Sequence, residues 1–248
     1  MNRHDSERQR LAELIAASRR MAVLTGAGIS TESGIPDFRS PGGIWSRFRL
    51  IEHGEFMASR EARLEDWRRR FYMEDQLGRV ESNAGHHAVA AWVLSGKCPV
   101  LITQNIDGLH QQAGTPADAV IEIHGNARRA HCTDCGLRHE VAECREQLDA
   151  SGEAPSCRQC GGIVKSDVVM FGEAMPARAT EAAFDAAGDC DLFLAIGTSL
   201  QVHPAAGLPV AAKQNGARLV ILNRDPTELD PCADLVIHAG IGEILSRL

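Results

Sequence analysis

A chain of 248 residues is long enough for one large domain, or for one domain with a smaller partner. Its 44% hydrophobic and 24% charged residues are ordinary for a soluble globular protein, and no apolar run approaches the length needed to span a bilayer. A net charge of −7 with no sustained basic run argues against a general nucleic-acid binder and against a membrane partner.

The first twenty residues, MNRHDSERQRLAELIAASRR, lack the apolar core of a secretion signal, so they read as a mature cytoplasmic start. Leu11, Leu14 and Ile15 fall at helical spacing within 6–20. Strand-like apolar runs then recur at 21–25, 99–103, 119–123, 191–196, 218–222 and 234–238. Most are unbroken rather than alternating, as strands covered on both faces should be. Helical segments are predicted at His86–Ser95, Pro176–Ala187 and Pro204–Asn215, the last two with proline in the first turn. This alternation predicts an α/β fold with a doubly wound, mostly parallel, Rossmann-like sheet.

Two stretches break the pattern. Residues 40–85 are Arg-rich and mainly helical in pattern, and 126–165 hold two Cys-x-x-Cys pairs with few apolar runs. Each reads as an insertion, and together they would make a smaller lobe. The expected division is therefore 1–39, 86–125 and 166–248 for the Rossmann-like domain, 40–85 for a helical insertion, and 126–165 for a zinc-binding module. The cluster Trp67-Arg68-Arg69-Arg70-Phe71 reads as a solvated helix face rather than a binding patch.

Cys132 and Cys135, then Cys157 and Cys160, are the sharpest local signal. Thiolates from two tight turns can close a tetrahedron around Zn²⁺, and Gly136 and Gly161 each follow a pair and ease the turn. Four thiolates leave no open position, so one structural ion is expected. A redox dithiol is the competing reading. His131 and His139 are nearby but surplus to the ligand set, and the lone cysteines Cys98, Cys144, Cys190 and Cys232 read as small buried hydrophobes.

Ligands of doubly wound sheets bind beyond the carboxyl ends of the strands, near the switch point of strand order. Those ends carry Gly26-Ala27-Gly28, Gln104-Asn105-Ile106-Asp107, His124-Gly125, Gly197-Thr198-Ser199 and Asn223-Arg224-Asp225. The small residues at 26–28 and 197–199 suit phosphates. Asn223 could bond a ribose hydroxyl, and His124 could act as a general base. Asn105 and Asp107, two apart in an extended segment, share a face and can both enter the crevice. Any one cluster is weak, but five on one edge read as a dinucleotide pocket with acid–base groups around one ribose. The usual third glycine of a dinucleotide loop is replaced by Thr31, and Gly34-Ile35-Pro36-Asp37-Phe38-Arg39 follows.

In order along the chain stand GAGIS with SGIPDFR, TQNIDGLH, a strand-terminal HG, the two cysteine pairs, FGE and GTSLQV. This set resembles the sirtuins, NAD-dependent protein-lysine deacylases, from about Ala22 to the C-terminus. The resemblance implies His124 as catalytic histidine, with Asn105 beside it, and Gln104, Asn105, Ile106 and Asp107 around the nicotinamide and its ribose. It implies Gly26, Ala27 and Gly28 as the phosphate loop, and Ile35, Asp37, Phe38 and Arg39 as a cofactor loop. Gly197, Thr198, Ser199 and Asn223 would lie on the phosphate and adenosine side, with Gly240 and Ile241 near the adenine. Val169, Phe171, Gly172, Glu173 and Val202 would receive an acyl-lysine peptide.

The implied chemistry explains the unusual loop. Nicotinamide is a leaving group here, so its ring must be held and its reactive carbon kept from water. The acyl oxygen would attack that carbon, His124 would accept a proton from the ribose hydroxyls, and free lysine and 2′-O-acyl-ADP-ribose would result. Members that prefer succinyl groups resemble one another in a Tyr and an Arg three apart, whereas here Tyr72 has Asp75 three residues on. A carboxylate there favours acetyl or another neutral acyl chain. Mono-ADP-ribosyl transfer to protein would use the same pocket and is the alternative. An oxidoreductase is disfavoured by the missing third glycine, and a zinc-ribbon nucleic-acid module by the net charge.

Overall fold

The computed structural model describes residues 4–37, 43, 48–77 and 79–248. In chain order its helices are α1 (Asp5–Ala17), α2 (His53–Ala58), α3 (Arg60–Leu77), α4 (Ala84–Leu94), α5 (Leu109–Gln112), α6 (Val141–Ser151), α7 (Ala177–Asp189), α8 (Leu208–Gln214) and α9 (Ile241–Leu245). Its strands are β1 (Met21–Thr25), β2 (Val100–Thr103), β3 (Val120–Glu122), β4 (Arg129–Cys132), β5 (Arg138–Glu140), β6 (Val164–Ser166), β7 (Leu192–Ile196), β8 (Arg218–Leu222) and β9 (Leu235–Ile237).

Six strands form one parallel sheet in the order β3-β2-β1-β7-β8-β9. The order reverses between β1 and β7, so the switch point lies where Thr25 and Ile196 end paired strands. Every residue of β1 and β7 is buried. The reason is the two-residue period of a strand with both faces covered. Met21, Val23, Leu192, Leu194 and Ile196 pack with Leu11, Val89, Val93, Ile241 and Ile244 from α1, α4 and α9. The intervening Ala22, Leu24, Phe193 and Ala195 pack with Ala183, Ala187, Leu208 and Ala212 from α7 and α8. An unbroken apolar run is what this two-sided burial demands.

All six apolar runs become strands, each trimmed by at most two residues. The helix expected at Pro204 differs. The His203–Pro204 peptide is cis, Ala205–Gly207 form a 3-10 turn, and α8 begins only at Leu208. Pro209 takes the first-turn position instead. Pro176 likewise caps α7 rather than entering it.

A second, antiparallel sheet, β5-β4-β6, spans the cysteine-rich stretch. Its residues Ala130, Cys132 and Val164 share a core with Cys144 and Leu148 of α6 and with Trp67 and Phe71 of α3. Trp67 stacks on Phe71, and its indole N–H donates to the Val164 carbonyl at 3.2 Å. The tryptophan–arginine cluster is therefore an amphipathic helix. Its apolar ends are buried, and Arg69 and Arg70 pair with Glu65 and Asp66 one turn earlier. Among the lone cysteines, Cys98, Cys144 and Cys190 are buried as expected, but Cys232 is exposed. It sits in a 3-10 turn, Asp230–Cys232, none of whose residues is buried.

Candidate active site

The two glycine loops at the switch point interlock. Gly26 N–H donates to Ile196 O at 3.0 Å, and Gly28 N–H donates to Gly197 O at 2.8 Å. A Cβ on Gly26 would lie 2.8 Å from Gly197 O, and one on Gly28 would lie 2.8 Å from Gly197 Cα. Gly197, at φ +63, would itself meet Ile29 N at 2.4 Å. The sequence suggested that these glycines admit a phosphate. The structure adds that they first admit one another, which brings the ends of β1 and β7 into contact.

Gln104 spans this junction. Its backbone N–H donates to Thr25 O at 2.9 Å, and its side-chain amide donates to Thr198 Oγ1 at 2.9 Å. Its carbonyl accepts from His124 Nδ1 at 3.2 Å. That bond places the proton on Nδ1 and leaves the lone pair of the imidazole on Nε2. Burial pushes the His124 pKa below its usual value, against the bond to Gln104, which raises it. Both effects considered, the ring is held neutral near pH 7.

Asn105 and Asp107 converge as their spacing suggested, and the meeting point is Ser30, which the sequence reading missed. Asn105 Nδ2 donates to Ser30 Oγ at 3.2 Å and to Gly26 O at 3.1 Å. Ser30 Oγ donates to Asp107 Oδ2 at 2.7 Å, while Asp107 Oδ1 accepts from Leu109 N–H. Ser30 stands in the 3-10 helix that follows β1, and its neighbour Glu32 accepts from Gly242 N–H at 2.9 Å at the start of α9.

Two histidines lie beneath Ser30. His86 Nδ1 accepts from Asn83 N–H at 3.2 Å in a capping box, so Nε2 carries the proton, 3.4 Å from Ser30 Oγ. His110 Nε2 lies 2.9 Å from Thr25 Oγ1, which donates to Thr103 Oγ1 at 2.8 Å. The two rings sit edge to face, 4.9 Å apart, and both side chains are buried. Burial lowers the pKa of His86 to about 4 and of His110 to about 3. A helix N-terminal signal, Asn83 three residues before a histidine, was present in the sequence, but nothing in it tied His86 to Ser30.

The expected peptide segment adjoins the histidine. Val169 N–H donates to His124 O at 2.9 Å. A Cβ on Gly125 would lie 1.8 Å from Asp167 O, and its φ is +78, so only glycine allows this approach. Phe171 is 44% exposed, and Gly172 is exposed beside it. Glu173 turns inward, its Oε2 accepting from Met170 N–H at 2.8 Å. Val202 is half-buried at the turn before α8, and Ser199 is half-buried beyond β7.

Other expected residues are more peripheral. Ile241 is buried against the positions of Gly85 and Gly197, underneath the glycine loops, and Gly240 is exposed beside Glu32. The Asn223 side chain donates to Asp225 O at 2.7 Å within its own loop. Ile106 is half-buried, its carbonyl accepting from Ala127 N–H, and Ala27 is half-buried at the start of the 3-10 helix. Ile35 N–H donates to Ser30 O, and Asp37 lies 3.8 Å from Arg224. Phe38 and Arg39 lie outside the described residues. Tyr72 stands on α3, 53% exposed and edge-on to Phe48, and Asp75 bonds Arg145 Nη1 at 2.8 Å.

The four cysteine sulfurs lie within 4.8 Å of one another. Cys132 and Cys160 are 3.5 Å apart, and Cys135 and Cys157 are 3.7 Å apart. A ZnS₄ tetrahedron with bonds of about 2.3 Å has edges of about 3.8 Å, so the donor set fits a zinc ion and is too open for disulfides. Gly136 at φ +73 and Gly161 at φ +74 make the two turns. The cluster is compatible with one structural zinc, and neither His131 nor His139 joins it. No described helix is long and apolar enough to cross a membrane.

A family model described as the Sir2 family matches residues 26–204. An "NAD-dependent protein deacetylase" of Rhodopseudomonas palustris is 52% identical over 96% of this chain and 94% of its own length. An "NAD-dependent protein deacetylase 1" of Bradyrhizobium diazoefficiens is 50% identical over 96% of this chain and 93% of its own. Among solved structures, one described as "Sir2-p53 peptide-NAD+" superimposes with a TM-score of 0.88 at 33% identity, covering 96% of this chain and 95% of that one.

Proposed function

The chain belongs to the Sir2 (sirtuin) family, and from that premise we propose how its sheet-edge crevice serves an NAD-dependent protein-lysine deacylase. The reading is carried by one observation: His124, Asn105 and Asp107 gather through Gln104 and Ser30 at the β1–β7 switch point. Acyl-lysine peptide is the substrate class, and NAD is the cosubstrate.

When bound, NAD supplies a sugar carbon that an acyl oxygen can capture as nicotinamide leaves. The interlocked loops at Gly26–Gly28 and Gly197–Ser199 would hold its phosphates, and Asn223, Gly240 and Ile241 its adenosine end. Ile35, Asp37, Phe38 and Arg39 would cover the nicotinamide and keep water out, because a carbon with cationic character is quenched by any nucleophile. Asn105 and Asp107 would grip the nicotinamide ribose and its leaving group. Neither can rotate away freely, since each is fixed to Ser30. His124 Nε2, unprotonated because Nδ1 holds the proton, would accept a proton from the ribose hydroxyls.

Val169, Phe171, Gly172 and Glu173 on one side and Val202 on the other would receive the acyl-lysine peptide as an added strand. The proposed acyl group is neutral. A carboxylate, Asp75, stands three residues after Tyr72 where the succinyl-preferring pattern has Arg, and Arg145 is already bonded to Asp75 and Glu74, so neither supplies a guanidinium for a succinyl carboxylate. Four thiolates would hold zinc with closed coordination, cross-linking the small sheet and taking no part in the chemistry.

The test is a panel of acetyl-, propionyl- and succinyl-lysine peptides incubated with NAD. Nicotinamide release should match acyl loss, with acetyl or propionyl preferred. Gain of an ADP-ribose mass by the protein or peptide, without acyl loss, would overturn the assignment.

A further inference from the structure

Lys165, in the middle of β6, is only 2% exposed, and burying an ammonium is costly unless every proton finds an acceptor. All three do. Lys165 Nζ donates to Ser166 O at 2.9 Å, to Val168 O at 2.7 Å and to Glu173 Oε2 at 3.0 Å. Burial lowers its pKa, and the Glu173 carboxylate opposes that shift. Other charged groups around it are Asp66 and Arg70 of α3, which pair with each other, and His53 of α2 at 4.0 Å from Glu173 Oε1.

The acceptors are what give the residue meaning. Val168 and Glu173 bracket a tight turn. Within it Glu173 N–H donates to Met170 O, and Met170 N–H donates to Glu173 Oε2. The turn is pinned at Val169 to the His124 carbonyl and at Phe171 O to His53 N–H. Its tip is open. Gly172 is exposed at φ +77, with nothing within 4 Å of where a Cβ would stand. So a buried ammonium fixes both ends of a turn whose one flank touches the catalytic histidine and whose tip faces outward.

We propose that Lys165 is a positioning residue for the peptide substrate: with Glu173 it sets the Val168–Glu173 turn, so that the Phe171–Gly172 backbone is presented to the peptide strand beside His124. The inference rests on the deacylase reading above and deepens it. Lys165 touches neither reacting group and acts only through the turn.

Its signature is a split among substrates. A peptide with residues on both sides of the acetyl-lysine needs the turn, whereas a blocked single acetyl-lysine has no flanking backbone to pair with it. In Lys165→Met, KM for the flanked peptide should rise about tenfold, equivalent to ~1.4 kcal/mol. KM for NAD and kcat/KM for the blocked single residue should stay within about twofold. Lys165→Arg, which keeps the charge, should recover part of the peptide KM. If Lys165→Met fails to fold, judged by zinc content and thermal unfolding, Lys165→Gln, which keeps two N–H donors for the turn without the charge, is read for the same split. A folded variant with unchanged peptide KM, or with all three parameters changed equally, overturns the proposal. A wild-type protein that removes no acyl group from any of these substrates would instead overturn the underlying assignment.

Discussion

The two buried histidines beneath the crevice make a quantitative prediction about acid stability. Unfolding returns His86 and His110 to an ordinary pKa near 6.5, whereas in the folded chain burial holds them at about 4 and about 3. Above 6.5 both states are neutral and stability is complete. Below it, the unfolded chain binds protons that the folded chain refuses, so stability falls until the folded values are reached. At about pH 5.5 the folded rings are still neutral, so the loss depends only on the one unit separating that pH from 6.5. Each ring then costs a little over ~1 kcal/mol, and the pair about 2–3 kcal/mol.

Urea unfolding at about pH 7.5 and about pH 5.5, for wild type, His86→Gln and His110→Gln, measures this directly. Either substitution also alters packing, which lowers stability equally at both pH values. The informative quantity is the drop between them, which should be smaller by about 1 kcal/mol in each variant than in wild type. Acid also weakens thiolate–metal bonds, but that contribution is common to all three proteins and cancels in the comparison. An identical drop in all three would mean that the rings titrate alike folded and unfolded, and the burial argument would fail.

His124→Ala should abolish deacylation while leaving zinc content unchanged. Since burial lowers the His124 pKa, the acid limb of kcat/KM should have its midpoint below 6.5, and a midpoint clearly above 7 would contradict the assignment. Gly125→Ala should destabilise by more than about 3 kcal/mol, because its Cβ would lie 1.8 Å from a carbonyl oxygen. Gly152→Ala, also at positive φ but with open space around it, should cost only about 1 kcal/mol, and thermal unfolding of the pair compares them. Removing zinc with a chelator should loosen the core that Cys132 and Cys157 share with Trp67, shifting its fluorescence to the red. Unchanged emission after complete metal loss would refute a structural role.

Much of this molecule is written locally. The run Met21–Thr25 is apolar at every position but its last, and that fact alone requires cover on both faces, hence a parallel sheet with helices on each side. The cysteine pairs carry their own turn glycines, so a four-thiolate cluster could be read from spacing. The strand-end positions of His124, Asn105 and Asp107 were legible because a strand's carboxyl end is a place defined by sequence.

What the sequence could not supply was which distant groups meet. Ser30 is an ordinary polar residue in a loop until Asn105 and Asp107, 75 and 77 residues later, close on its hydroxyl. Nothing in the sequence marks Lys165 until burial removes water from it and leaves Ser166 O and the Val168–Glu173 turn to bind. Gly26 and Gly197 looked like separate phosphate loops, yet each is glycine partly because the other is there. Side-chain periodicity and turn chemistry act over a few residues, so sequence determines the elements and their buried faces. Hydrogen-bond partners and close backbone approaches depend on which strand ends are brought side by side, and only the order β2-β1-β7 decided that.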